Sequence, residues 1–261
     1  MLRRGNSPIF KRAGRLVRPA RLSLRAAGLA AAIALYPATP AAAVPAAELA
    51  QPLVGQGIDD FYAARAGRPL WLREDGSAGI EPMLLLDVLR TADADGLDPG
   101  RYRVEMLADA IRRAAWGGSP QSVAFADRML SEAFVAYVRD LKRDPPTGIH
   151  WVEPSLRPAA PYPRALLEAA AEAPSLEAWI GTMGWMNPIY AGLRDALVHG
   201  RGDPQVLRLN LERARALPAG RGRYVLVNAT AARLTMYEDG REVDSMRVVV
   251  GKPEHQTPMM A

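Results

Sequence analysis

Between Pro82 and Leu217 apolar residues return every three or four positions, and from Tyr224 they return at every second one. The first period belongs to a helix with one buried side and the second to a half-buried strand. Ile58–Ala66 predicts a short first helix, followed by an extended Arg68–Leu72 segment. Met83, Leu86 and Leu89 predict a helix from Pro82, terminated by Asp95-Gly96-Leu97-Asp98-Pro99. Gly there suits a left-handed cap, and Pro forbids continuation. Arg103–Trp116 predicts a second amphipathic helix that Gly117-Gly118 stops.

The longest helix opens at Ser119-Pro120, with Val123, Phe125, Ala126, Met129, Leu130, Ala133, Phe134, Tyr137, Val138 and Leu141 as its apolar stripe. A stripe that broad is buried on one side. Asp144–Gly148 ends it in an irregular passage, and four prolines between 151 and 163 predict a loop packed over the helices. Helices follow over Arg164–Ala173, Leu176–Met183 and from Asn187-Pro188 to Val198. The last runs from Pro204 to Leu217, with Asp203 as its N-cap. Strands are expected at Tyr224–Asn228, Arg233–Tyr237 and Val243–Val250, the last two joined by the hairpin turn Asp239-Gly240.

The class is therefore α+β, a mostly α-helical domain over 44–200 followed by an incomplete β-rich domain over 223–261. Residues 201–222 connect them as a linker and helix. Fixing the strand residues costs backbone entropy that nine large apolar side chains barely offset, and the last strand leaves a Val-rich edge unpaired.

Charge and cysteine content change this picture in two ways. The formal charge of +5 suggests a nucleic-acid or membrane partner, but eight basic residues precede residue 44, where no Asp or Glu occurs. The remainder holds 25 basic against 28 acidic residues, a formal −3, so no nucleic-acid partner is expected. Those arginines precede the apolar run Ala26–Tyr36 and the small residues Ala41-Ala42-Ala43. This order is that of a secretory signal peptide over 1–43, which predicts export to the periplasm. The run is too short to span a bilayer, since Pro37 and Pro40 end it. No stable membrane span is expected once the signal is cleaved. The chain contains no cysteine, which removes disulfides, a thiolate nucleophile and cysteine metal ligation together.

Candidate chemistry is sparse. His150, His199 and His255 lie in separate loops without metal-ligand spacing, and no Gly-x-Ser-x-Gly occurs. Asp59-Asp60 and Asp93-x-Asp95 are paired carboxylates placed at a helix start and a helix end, where capping explains them. Trp71, Trp116, Trp151, Trp179 and Trp185 stand among apolar neighbours and read mostly as core, with one or two free to stack on a sugar or peptide. No catalytic, cofactor-binding or metal-binding residue is assigned, and no cofactor is expected.

Several phrases carry a resemblance. Phe61-Tyr62 through Arg68-Pro69-Leu70-Trp71, Asp95–Tyr102 (DGLDPGRY) and Asn187-Pro188 to Tyr190 and Leu193 resemble the helical scaffold domain of the large exported L,D-transpeptidases. Asn210-Leu211-Glu212-Arg213-Ala214-Arg215, Tyr224–Asn228, Val250-Gly251-Lys252 and Gln256-Thr257-Pro258 resemble, in the same order, the approach to that family's YkuD-type catalytic β domain. The resemblance spans roughly residues 55 to 261.

It implies work on peptidoglycan stem peptides outside the cytoplasmic membrane, in cross-linking and cell-wall biogenesis. There a cysteine takes the acyl group of a tetrapeptide, releases D-alanine and passes the acyl group to a neighbouring amine. The family's His-Gly-Cys phrase lies downstream of Gln-Thr-Pro and is not among these residues, so no catalytic residue carries over. The expectation is the N-terminal portion of such an enzyme, ending ahead of its nucleophile and inactive alone. The other reading is a non-catalytic periplasmic scaffold that binds peptidoglycan or a partner.

Overall fold

The computed structural model describes residues 46–143, 149–153, 157–219 and 222–251. The expected signal peptide, the Asp144–Gly148 passage and His255 lie outside the described residues. Eight helices are described: α1 (Ala46–Ala64), α2 (Glu81–Arg90), α3 (Val104–Gly117), α4 (Pro120–Leu141), α5 (Pro163–Ala171), α6 (Leu176–Gly181), α7 (Pro188–Val198) and α8 (Pro204–Ala214). Strands β1 (Arg223–Asn228), β2 (Arg233–Glu238) and β3 (Arg241–Arg247) follow, antiparallel and in chain order. The class is α+β, as the change of period implies.

Local chemistry accounts for most helix starts. Proline stands in the first turn of α2, α4, α5, α7 and α8, where its fixed φ fits and its missing N–H is not needed. The side chains of Ser119, Asn187 and Asp203 accept N–H bonds from Ser122, Ile189 and Gln205, at 3.1, 2.9 and 2.8 Å. Gly118, at φ 53°, provides the left-handed stop after α3.

Helix α1 begins at Ala46, well before the expected Ile58, and passes through Gly55 and Gly57. Gly57 serves close approach, because a Cβ there would meet the Pro163 Cβ at 3.2 Å. The α2 helix stops at Arg90, and a 3₁₀ turn over Ala92–Asp95 carries the chain to Gly96, which is left-handed at φ 69°.

Helix α4 is the axis of the core. Leu130, Phe134, Val135, Tyr137, Val138 and Leu141 are fully buried along it. Phe134 meets Trp71, Trp179 and Trp185 edge-on at 5.4, 5.7 and 5.1 Å between ring centroids. One residue placed on the stripe does not belong there. Phe125 is 60% exposed, because at about 100° per residue it points roughly opposite Val123, Leu130 and Phe134.

The sheet has a different character. Asp239 (φ 50°) and Gly240 (φ 75°) make the left-handed two-residue turn that hairpins favour. The ladder slips between Met236 and Tyr237, where Val243 is the extra residue, since Met236 faces Asp244 and Tyr237 faces Glu242. Val225, Val227, Leu234, Met236 and Met246 share one face by register. Val225, Val227 and Met246 on that face are exposed, and of the strand residues only Thr235 is buried. The apolar strand positions thus remain largely uncovered.

Candidate functional site

Two buried carboxylates organise the helical domain, and neither is a helix cap. Asp127 and Ser131 stand one turn apart on the buried side of α4, with no exposure to solvent. The Asp127 carboxylate accepts three successive backbone N–H bonds, from Leu70 at 2.8, Trp71 at 2.7 and Leu72 at 2.9 Å. Tyr62 donates its hydroxyl to the same group at 2.6 Å. Ser131 Oγ accepts the Trp71 indole N–H at 2.9 Å and lies 2.7 Å from the Tyr62 oxygen, to which it donates because that phenol's proton goes to Asp127. One side chain therefore fastens an extended segment that has no ladder partner for those N–H groups. Burial pushes the Asp127 carboxyl up, against the lowering by these hydrogen bonds, and pushes the Tyr62 phenol up as well.

Asp95, 1% exposed, is the second hub. Its oxygens accept Tyr137 OH at 2.8 Å from α4 and Tyr190 OH at 2.6 Å from α7. Arg194 Nε on α7 reaches both oxygens at 2.9 Å. The Arg194 Nη2 group donates onward to the carbonyls of Val88 and Thr91, at 3.1 and 3.0 Å, closing the end of α2. Arg215, just past α8, donates to the Asp95 carbonyl. Burial, and then the Asp95 charge, holds the Tyr137 and Tyr190 phenols in the neutral form. Asp95 was expected to cap a helix end; it is instead the counter-charge of a buried arginine, and Asp93 beside it stays exposed.

Other phrase residues stand around these hubs, while Lys252 and Gln256-Thr257-Pro258 lie outside the described residues. Within Asp95–Tyr102, Asp98 accepts the Gly100 N–H at 2.9 Å and so shapes the turn. Arg101 and Tyr102 both reach Asp140 at the end of α4, at 2.8 and 3.2 Å. Asn187 is 1% exposed. Its Nδ2 donates to the Pro218 carbonyl at 2.9 Å and to the Tyr224 hydroxyl at 2.8 Å, joining α7, the segment after α8 and β1. Tyr224 stacks on Tyr237 of β2 at 4.8 Å between centroids.

Other expectations on single residues are met or corrected. Asp59 and Asp60 sit inside α1 rather than at a helix start, and Asp59 pairs with Arg128. His199 caps the end of α7 and lies 2.9 Å from Asp195, while His150 is exposed. Trp71 and Trp185 are core, but Trp116 is 96% exposed, since its helical phase sets it roughly opposite Leu107, Ile111 and Ala114. Reading α4 as an apolar stripe missed Asp127 and Ser131; two polar residues at i and i+4 within that stripe were the available signal.

Chemically the hubs hold structure. Every oxygen of both carboxylates is occupied by donors, and the hydroxyls beside them, those of Tyr62, Tyr137 and Tyr190, are committed as donors to them. Among the described residues no group of three or more His, Asp or Glu is placed to hold a metal ion. No described helix is long and apolar enough to cross a membrane.

Residues 56–197 match the family described as Scaffold domain, more than half of the chain, and the chain belongs to that family. Both hubs and Asn187 fall inside the matched residues. No curated protein and no solved structure matches the chain.

Proposed function

We propose that this chain is the scaffold-bearing part of a periplasmic murein L,D-transpeptidase, which cross-links peptidoglycan stem peptides during cell-wall biogenesis. The carrying observation is spatial: phrases far apart in sequence, whose order resembles that family, meet at two polar centres. Asp95 meets Tyr190 and Arg215, and Asn187 meets Tyr224, while the single Tyr62–Trp71 phrase is gathered on Asp127. Family membership in Scaffold domain supports the same reading. In it the helical domain performs no chemistry and holds the sheet in a fixed pose.

Residues 1–43 are the cleaved export signal, residues 44–200 the scaffold, and residues 223–261 the beginning of the catalytic domain. The acyl-carrying thiol comes from outside these 261 residues, which contain no cysteine. Sequencing the coding DNA past codon 261 tests this directly. An in-frame or frameshifted His-Gly-Cys phrase is expected, and a genuine stop with no such phrase in any downstream frame would remove the transpeptidase reading.

A second reading, a non-catalytic periplasmic scaffold that binds peptidoglycan, is favoured by one observation, the nearly complete exposure of Trp116. Retention of the chain on purified sacculi, lost in Trp116→Ala, supports it. Retention equal to that of an unrelated acidic protein removes it.

A further inference from the structure

The sheet is fastened to itself more firmly than to the helices. Gly222 and Asp239 close its open end reciprocally, Asp239 N–H donating to the Gly222 carbonyl at 3.0 Å and Gly222 N–H to Asp239 Oδ1 at 2.9 Å. Its strands bury only Thr235, so apolar packing contributes little to its placement on the helical domain. What crosses the junction is polar and directional. Asn187 Nδ2 bonds Pro218, the last part of the helical chain, and Tyr224, the second residue of β1. A single amide therefore bridges both flanks of the connector between α8 and the sheet. Next to it, the Gly240 turn lies against Pro188, where a Cβ would come within 3.2 Å of the ring.

We propose that Asn187 is a positioning residue, a pin whose side-chain amide sets the pose of the β-sheet on the helical domain. Asn187 is suited to the role because its two ends are committed separately. The Oδ1 atom caps α7 through Ile189 N–H at 2.9 Å, which locks the side chain, and the Nδ2 atom then has its two protons aimed at Pro218 and Tyr224. Releasing Nδ2 frees the sheet to swing as a unit, since its ladders and the Gly222–Asp239 closure do not depend on it. This holds whether or not the chain serves a transpeptidase.

The absence of native cysteine makes the test clean. Nitroxide labels at Phe125→Cys on α4 and Val243→Cys on β3, both exposed positions, report the pose by pulsed electron–electron resonance. The otherwise native chain should give one narrow distance distribution. Asn187→Asp keeps the capping oxygen and removes both donors, and should at least double the width while helical circular dichroism is retained. Asn187→Ser keeps a capping hydroxyl without a buried charge and serves where the aspartate does not fold. Tyr224→Phe removes one arm only and should broaden the distribution less than either. Native width in folded Asn187→Ser and Tyr224→Phe overturns the proposal, as does a broad distribution in the otherwise native chain.

Discussion

Replacing Asp95 with Asn is the sharpest perturbation the fold offers. The change preserves shape but removes the charge opposite Arg194, whose side chain is 9% exposed beside a carboxylate at 0%. One amide oxygen replaces two acceptors that now serve Tyr137, Tyr190 and Arg194, and an amide N–H₂ is turned toward other donors. Breaking a buried pair by removing one partner costs roughly 3–5 kcal/mol, because the remaining charge stays desolvated. For a domain of this size each kcal/mol lowers Tm by about 2–4 °C, so the expected fall is roughly 6–20 °C. Thermal unfolding followed by circular dichroism measures it. Arg194→Met added to Asp95→Asn should recover part of the loss, with a coupling of about 1–3 kcal/mol in the double-mutant cycle. A fall below about 2 °C, or strict additivity of the two changes, would refute the hub.

Three further outcomes are expected. Lys142 at the end of α4 is pushed down to about 8 by burial, so its folded value lies below the unfolded one. Its contribution to stability is present above the unfolded value of 10.5 and is lost as pH falls through about 8, on the order of 3 kcal/mol by linkage. Lys142→Met should therefore stabilise the chain in urea at pH 7 and do so less at pH 9.5, whereas an advantage independent of pH would contradict the burial. Gly76→Ala should lower stability by about 2 kcal/mol or more, read from denaturant midpoints, since φ is 83° and the new Cβ would stand 2.4 Å from the Ala114 carbonyl oxygen. A change within about 0.5 kcal/mol would mean that this turn yields easily. Purified chain incubated with meropenem should keep its mass, because acyl transfer of this type needs a thiolate and the chain has none. A gain of one drug molecule would expose an unsuspected nucleophile.

Most helix starts after α1 were legible because their chemistry is local. Ser119, Asn187 and Asp203 cap residues two or three positions on, and the proline after each is itself a start signal. The Asp239-Gly240 turn was legible for the same reason. The hubs were not. Asp95 looks like a cap in any local window, and its role depends on Tyr137, Tyr190 and Arg194, which lie 42, 95 and 99 positions away. Trp71 and Trp116 also look alike in sequence; one is core and the other bare because their elements turn different sides to α4. In Asn187 the two kinds of information separate within one side chain, its cap local and its hold on Tyr224 visible only in three dimensions.

The proposed service of this scaffold to a peptidoglycan L,D-transpeptidase can be read in the cell wall itself. Deleting the gene in its host and quantifying muropeptides by liquid chromatography and mass spectrometry reads the relevant product, cross-links whose donor stem has lost its terminal D-alanine. These cross-links should fall, and should return when the full coding region is restored. An unchanged muropeptide profile in a strain with no second such enzyme would contradict it.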